Sequence, residues 1–193
     1  PNMMAKSVKR KMGTDEVCLT VKGVNYSPVD ISSKILAYLK EKAGQALGVQ
    51  VQDVVVTVPA WFNEKQRRAT LEAAIASGLN VIMMINEPTA ASLAYEATSA
   101  SSNTPPSTER KPMENWLVYD LGGGTFDVSV LTVNGEQKEV LASCGNVFLG
   151  GDDFDKLIEG VFVQKIKDKY SLDISTDIAC MARLNKRAEE VKI

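Results

Sequence analysis

Val54-Val55-Val56-Thr57-Val58-Pro59 is a run of β-branched residues closed by a proline. Without polar alternation it reads as a central strand buried on both faces. Asn63 and Gln66 downstream form a capping box that opens a helix through Ala76, closed by Gly78. Val81–Ile85 is a second buried strand, and Asn86-Glu87-Pro88-Thr89 opens a further helix with proline in its first turn. Strand, helix, strand and helix at this short spacing predict a parallel sheet with right-handed crossovers, an α/β fold. Upstream, Ser27-Pro28-Val29-Asp30 starts a helix whose Ile31, Ile35, Leu39, Ala43 and Leu47 recur at i+4 until Gly48. Before it, Val17–Val21 is a short strand turned by Lys22-Gly23. Ala90, Ala91, Ala94 and Ala97 give the third helix a side of small residues suited to close helix packing.

The 193 residues suffice for one large domain or two small ones, and 45% hydrophobic with 24% charged residues is an ordinary globular composition. A net charge of -2 offers no electrostatic case for nucleic acid or an anionic membrane as partner. The chain has no histidine, which excludes imidazole bases, histidine triads and histidine-ligated zinc. Cys18, Cys144 and Cys180 are scattered without metal-ligand spacing, which predicts reduced thiols in a cytoplasmic setting. No apolar run approaches bilayer length. The opening Pro1-Asn2-Met3-Met4 and the uncapped last helix predict a piece of a longer chain, truncated at both ends.

Thr98–Pro112, rich in Ser, Thr, Pro and Asn, predicts an exposed loop and the best internal boundary. Beyond it Asp120-Leu121-Gly122-Gly123-Gly124-Thr125-Phe126-Asp127 lies between two strand-like runs, Trp116–Tyr119 and Phe126–Val133. Three glycines leave backbone amides bare and permit positive φ, a concavity suited to phosphate oxygens. Asp120 and Asp127 would then need a cation such as Mg²⁺ between them and the phosphate, and Thr125 adds a hydroxyl. The competing reading is an ordinary glycine hairpin with acidic shoulders. Val133-Asn134-Gly135-Glu136 carries the Asn-Gly pair of a type I′ turn leading to Glu139–Ser143. Gly150-Gly151 precedes a helix to about Tyr170 whose apolar side is Phe154, Leu157, Ile158, Val161, Phe162 and Ile166. That helix start is either an anion site or, given Asp152, Asp153 and Asp155, simple dipole capping. Glu87 stands at the carboxyl end of a strand, where ligands bind in such sheets, and also fits first-turn capping. Met4–Gly13 is basic and reads as a solvated charge run.

Four stretches together resemble the seventy-kilodalton heat-shock chaperones of the bacterial DnaK type. They are Val56–Asn63, Ile85–Ala91, Tyr119–Ser129 and Leu149–Asp155, in that family's order over nearly the whole chain. The resemblance implies an actin-like ATPase fold, with ribonuclease-H-like sheets flanked by helices and ATP or ADP in a cleft between two lobes. Residues 1–97 would belong to the first lobe, 98–113 to an exposed linker, and 114–193 to the second lobe.

The resemblance also recasts the basic run: Lys9 matches the family's catalytic lysine. Asp120 matches its magnesium-associated acid, and Gly122, Gly123, Gly124 and Thr125 its second phosphate loop. Glu87 and Asp127 match acids that hold Mg²⁺ largely through water. Gly150 and Gly151 match further nucleotide-side glycines, and Glu189 and Lys192 match positions flanking the adenosine. The implied function is the ATP-binding and ATP-hydrolysing domain of a chaperone that assists protein folding, with Lys9, Glu87, Asp120 and Thr125 catalytic. Unfolded peptide clients would bind a separate domain, and a J-domain co-chaperone and a nucleotide exchange factor would be partners. The Pro59 and Arg67 region resembles part of the relay between the two domains. Trp61 departs from the tyrosine usual in the family, and the Thr98–Pro112 loop is longer than usual. The family's first phosphate loop would precede Pro1 and its last adenosine loop would follow Ile193, so the chain alone is expected to bind nucleotide poorly. The alternatives are a non-hydrolysing scaffold of the same fold or another actin-like ATPase such as a sugar kinase.

Overall fold

The structure, a computed structural model, describes residues 4–100, 113–135 and 137–193. A single 3-10 turn, Val8–Lys11, leads to an antiparallel hairpin of β1 (Leu19–Val21) and β2 (Val24–Tyr26). Lys22 and Gly23 make its turn at φ of 50° and 79°. Helix α1 (Pro28–Leu47) starts where expected: Ser27 accepts from the Asp30 amide while the Asp30 carboxylate accepts from the Ser27 amide. It stops at Gly48, which is left-handed. Strands β3 (Asp53–Val58) and β4 (Asn80–Asn86) pair in parallel across α2 (Glu64–Ala76), which Asn63 and Gln66 cap reciprocally. Helix α3 (Glu87–Ala100) follows without a break.

The expectation that β3 and β4 are buried on both faces is not met. Val55 is 53% exposed, and Ile82 and Met83 are exposed on β4. Val54 and Val56 are half-buried, and Val58 joins Met12, Phe62, Ala69 and Ala73 in a small core against which Val29, Leu36 and Met84 pack. The sheet has two strands, and its helices α1 and α2 pack against each other on the Val58 side. The uninterrupted β-branched run conceals this alternation, because inward and outward positions carry the same residue types. The small-residue side of α3 is likewise not a tight packing seam. Ala91 and Ala94 are exposed, whereas Ser92 is 1% exposed with its hydroxyl on the Thr89 carbonyl.

Residues 98–100 belong to α3, so the predicted linker begins later, and 101–112 lie outside the described residues. Strands β5 (Glu114–Leu121), β6 (Phe126–Asn134) and β7 (Gln137–Asn146) form an antiparallel meander with β6 at its centre. Asn134 pairs with Gln137, so it ends the strand rather than sitting at the centre of the turn. Gly135 has φ of 61°. Asn134 stays extended in the ladder, which a type I′ turn would not allow. Helices α4 (Gly151–Tyr170) and α5 (Ile178–Lys192) pack together. Only part of the apolar side foreseen for α4 is covered: Leu157 and Val161 are exposed while Ile158, Phe162 and Ile166 are half-buried. The two halves touch through the Tyr95–Trp116 edge-on ring pair and a 2.5 Å ion pair from the buried Lys138 to Glu96. Among the described residues no helix is long and apolar enough to cross a membrane.

Candidate functional site

The glycine turn joins β5 to β6. Leu121 pairs with Phe126 and Asp120 with Asp127, and the Gly122 amide closes the loop on the Thr125 carbonyl at 2.9 Å. None of Gly122, Gly123 and Gly124 has positive φ, so the expected left-handed backbone is absent. What the glycines supply is closeness. A methyl group built on Gly150 would lie 2.6 Å from the Gly123 carbonyl carbon and oxygen. Gly123 itself is open on its other side, with nothing within 4 Å of where its Cβ would stand.

The start of α4 is therefore docked on the turn. Its Gly151 amide donates to the Gly122 carbonyl at 3.0 Å, and the Asp152 amide to the Gly123 carbonyl at 2.8 Å. These two amides are engaged by protein oxygens, which argues against the simple anion-site reading of the Gly150-Gly151 helix start. Capping is carried by Asp153, whose carboxylate accepts from the Gly150 amide at 2.9 Å.

Two distant segments bring charge to the turn. Lys9, on the 3-10 turn, reaches Glu87 at the start of α3, with Nζ 2.9 Å from Oε1 and 3.2 Å from Oε2. Asp127 is 4% exposed and Thr125 6%. Burial pushes the Asp127 carboxyl above the usual range, and the negative charge of Glu87 adds to the shift. Lys9 pulls the other way and Asp120 pushes further up. Asp120 is exposed on the opposite shoulder of the turn. Among the described residues no three carboxylate or thiol groups converge as a ready metal-binding set.

Of the remaining candidates, Glu189 lines a neighbouring cavity of about 450 Å³, among whose other walls are Lys6, Ser7, Arg10, Asp152 and Asp155. Lys192 lies beside it, its Nζ 2.9 Å from the buried Asp155 carboxylate and 3.4 Å from the Gly151 carbonyl. Gly151 thus stands between Gly123 of the turn and Lys192. Arg67 bonds the carbonyls of Ala60 and Phe62 and reaches Asn86 Oδ1 at 2.8 Å, tying the Pro59–Phe62 turn to the residue before Glu87.

Two participants escaped sequence reading. Gly145 pairs with Asp127, and a Cβ there would lie 2.6 Å from both the Asp127 carboxylate and the Phe126 carbonyl. An isolated glycine within a strand is the available signal for such a close approach. Arg10, hidden in the basic run, turns inward. Its Nε donates to the Gly124 carbonyl at 2.6 Å and its two terminal nitrogens to Asp153 at 3.1 and 2.5 Å. The hydrogen bond from Arg10 holds Asp153 below the ordinary carboxylate range. Ser7 beside it bonds Asp152. The family model described as Hsp70 protein matches residues 1–193, the whole of this sequence, and the chain belongs to the Hsp70 family.

Proposed function

We propose that this chain forms part of the ATP-binding and ATP-hydrolysing domain of a DnaK-type chaperone, with an actin-like fold. Residues 1–97 would contribute to one lobe and 114–193 to the other. The reading rests on one observation above all: Lys9 and Glu87, paired at 2.9 Å, act on the buried Asp127 beside the glycine turn, from separate stretches of sequence. A glycine hairpin with acidic shoulders gives no reason to bury Asp127 next to Glu87.

The residues present fit Mg²⁺ by their charge. Glu87 and Asp120 both act on Asp127, and Lys9 is the cation that opposes them there. The family resemblance assigns Glu87, Asp120 and Asp127 to an ion held largely through its water shell. Glu87, Asp120 and Asp127 would hold the ion, which would supply charge stabilisation to the phosphate. Phosphoryl transfer asks the protein chiefly for positioning and charge stabilisation. Lys9 would turn its ammonium from Glu87 toward the γ-phosphate and the attacking water. The Thr125 hydroxyl would hydrogen-bond the γ-phosphate, and the open side of Gly123 would let phosphate approach the backbone. Glu189 and Lys192 would flank the adenosine in the adjoining cavity. Peptide clients, a J-domain co-chaperone, an exchange factor and a cytoplasmic location belong to the same proposal.

The test is calorimetric titration with Mg·ATP of this chain beside a polypeptide extended at both ends, followed by steady-state turnover. The extended form is expected to bind and hydrolyse ATP, with Lys9→Ala and Thr125→Ala each lowering kcat about 100-fold or more and affinity far less. Wild-type turnover in both variants would remove the assigned roles. Binding without turnover by the extended form would instead make the chain a scaffold.

A further inference from the structure

We infer that Arg10 is a positioning residue for this site: it latches the Lys9 segment to the glycine turn and to the start of α4. The inference rests on the proposed ATP site for its catalytic consequence, though not for the latch itself.

The geometry is specific. Arg10 uses three nitrogens on two partners 114 and 143 residues away in sequence. Its side chain is 11% exposed and that of Asp153 26%. A guanidinium alone offers this planar fork plus a third donor in fixed relation, so lysine could satisfy only part of it. Each partner carries the effect onward. Accepting from Arg10 fixes the plane of the peptide between Gly124 and Thr125. A trans peptide points its N–H opposite to its C=O, so the Thr125 amide is directed away from Arg10. Asp153 meanwhile holds the Gly150 amide, so one carboxylate serves both the helix cap and the latch.

Lys9 is the residue next to Arg10 on the same short 3-10 turn, and it points to Glu87. The turn is thereby pinned on two sides, by Lys9 to the start of α3 and by Arg10 to the start of α4. Release of Arg10 leaves the segment tied by the half-exposed Lys9–Glu87 pair, the Ser7–Asp152 hydrogen bond and the buried Val8 and Met12, none of which fixes the Gly124 carbonyl. A loss of placement of about 1 Å at a reacting group is enough to cost on the order of 100-fold in rate.

The experiment compares wild type with Arg10→Gln, Arg10→Lys and Asp153→Asn in the extended polypeptide. Asparagine keeps an acceptor for the Gly150 amide while losing the charge that pairs with Arg10. Arg10→Gln and Asp153→Asn are each expected to lower kcat about ten- to a hundredfold with KM changed less than about threefold. Arg10→Lys is expected to recover only part of the loss. The double variant is expected to be no slower than the slower single one. Backbone amides at 9–12 and 122–126 are expected to exchange faster in Arg10→Gln than in wild type, with or without nucleotide. A kcat within about twofold of wild type in Arg10→Gln, while wild type hydrolyses ATP, would overturn the positioning role. Unchanged exchange at both segments would overturn the latch. Absence of ATP turnover in wild type would defeat the proposed function and leave the exchange result to decide the latch. If Arg10→Gln fails to fold, Arg10→Lys and Asp153→Asn carry the same comparison.

Discussion

Gly150→Ala isolates the docking of α4 on the glycine turn. Gly150 is extended, with φ of -177°, a conformation any residue adopts, so the substitution costs no backbone strain. The cost is steric. The new methyl would stand 2.6 Å from the Gly123 carbonyl carbon and oxygen and 2.7 Å from the Gly124 nitrogen. That is about 0.8 Å inside ordinary contact, and all three atoms are backbone, so the helix or the turn must move. Movement on that scale breaks the 3.0 and 2.8 Å bonds from Gly151 and Asp152 to the turn. Two such bonds contribute about 1 kcal/mol each, and forced overpacking costs about 1–3 kcal/mol. The expected destabilisation is about 3–5 kcal/mol, a Tm lowered by at least about 6 °C for a chain of this size. Urea unfolding followed by circular dichroism reads it directly. Gly160→Ala, in the same helix but facing open space, is the control, expected to stabilise by up to about 1 kcal/mol. A Gly150→Ala protein within about 0.5 kcal/mol of wild type would refute the docking geometry.

Gly123→Ala places its methyl where nothing lies within 4 Å, so folding stability is expected to stay within about 0.5 kcal/mol while Mg·ATP affinity, measured by calorimetry on the extended polypeptide, falls. Equal affinity would mean that phosphate does not approach the turn on that side. Asp127 has a raised folded pKa, so its contribution to stability is fully present below the unfolded value of about 3.9 and is lost as pH rises through the folded value. Asp127→Asn removes that loss, so the variant's advantage in urea unfolding of the nucleotide-free protein is expected to grow with pH over this window. An advantage that shrinks with rising pH would reverse the argument.

The helices were legible because their ends carry local chemistry. Ser27 with Asp30, Asn63 with Gln66, and Gly48 each satisfy terminal backbone groups within a few residues, and a sequence shows such pairings directly. The parallel β3–β4 pair was legible for a similar reason, through strand and helix spacing. What a strand faces was not. Val54 to Val58 look alike in sequence, although Val55 faces outward and Val58 is 1% exposed, because burial depends on elements contributed by the rest of the chain. At the site, Asp120, Asp127 and the glycines could be read from one stretch. Lys9 and Glu87 drew their joint meaning from the family resemblance, and the structure sets them 2.9 Å apart. Arg10 and Gly145 stayed hidden because each acts on a partner far away in sequence. A basic run gives no sign of which side chain turns inward, and Gly145 matters only because β7 is registered so that it faces Asp127.

The contact of Gly150 with Gly123 has a mechanical side. Helix α4 has 20 residues, and at 1.5 Å per residue it is about 30 Å long. Its first residue rests on the glycine turn with no side chain between to cushion the contact. A tilt of only about 5° at that pivot carries the far end, at Tyr170, through about 2.6 Å. Were α4 to pivot there as a rigid rod together with α5, a sub-ångström adjustment at the glycine turn would be converted into a displacement at the other end large enough for a neighbouring surface to register.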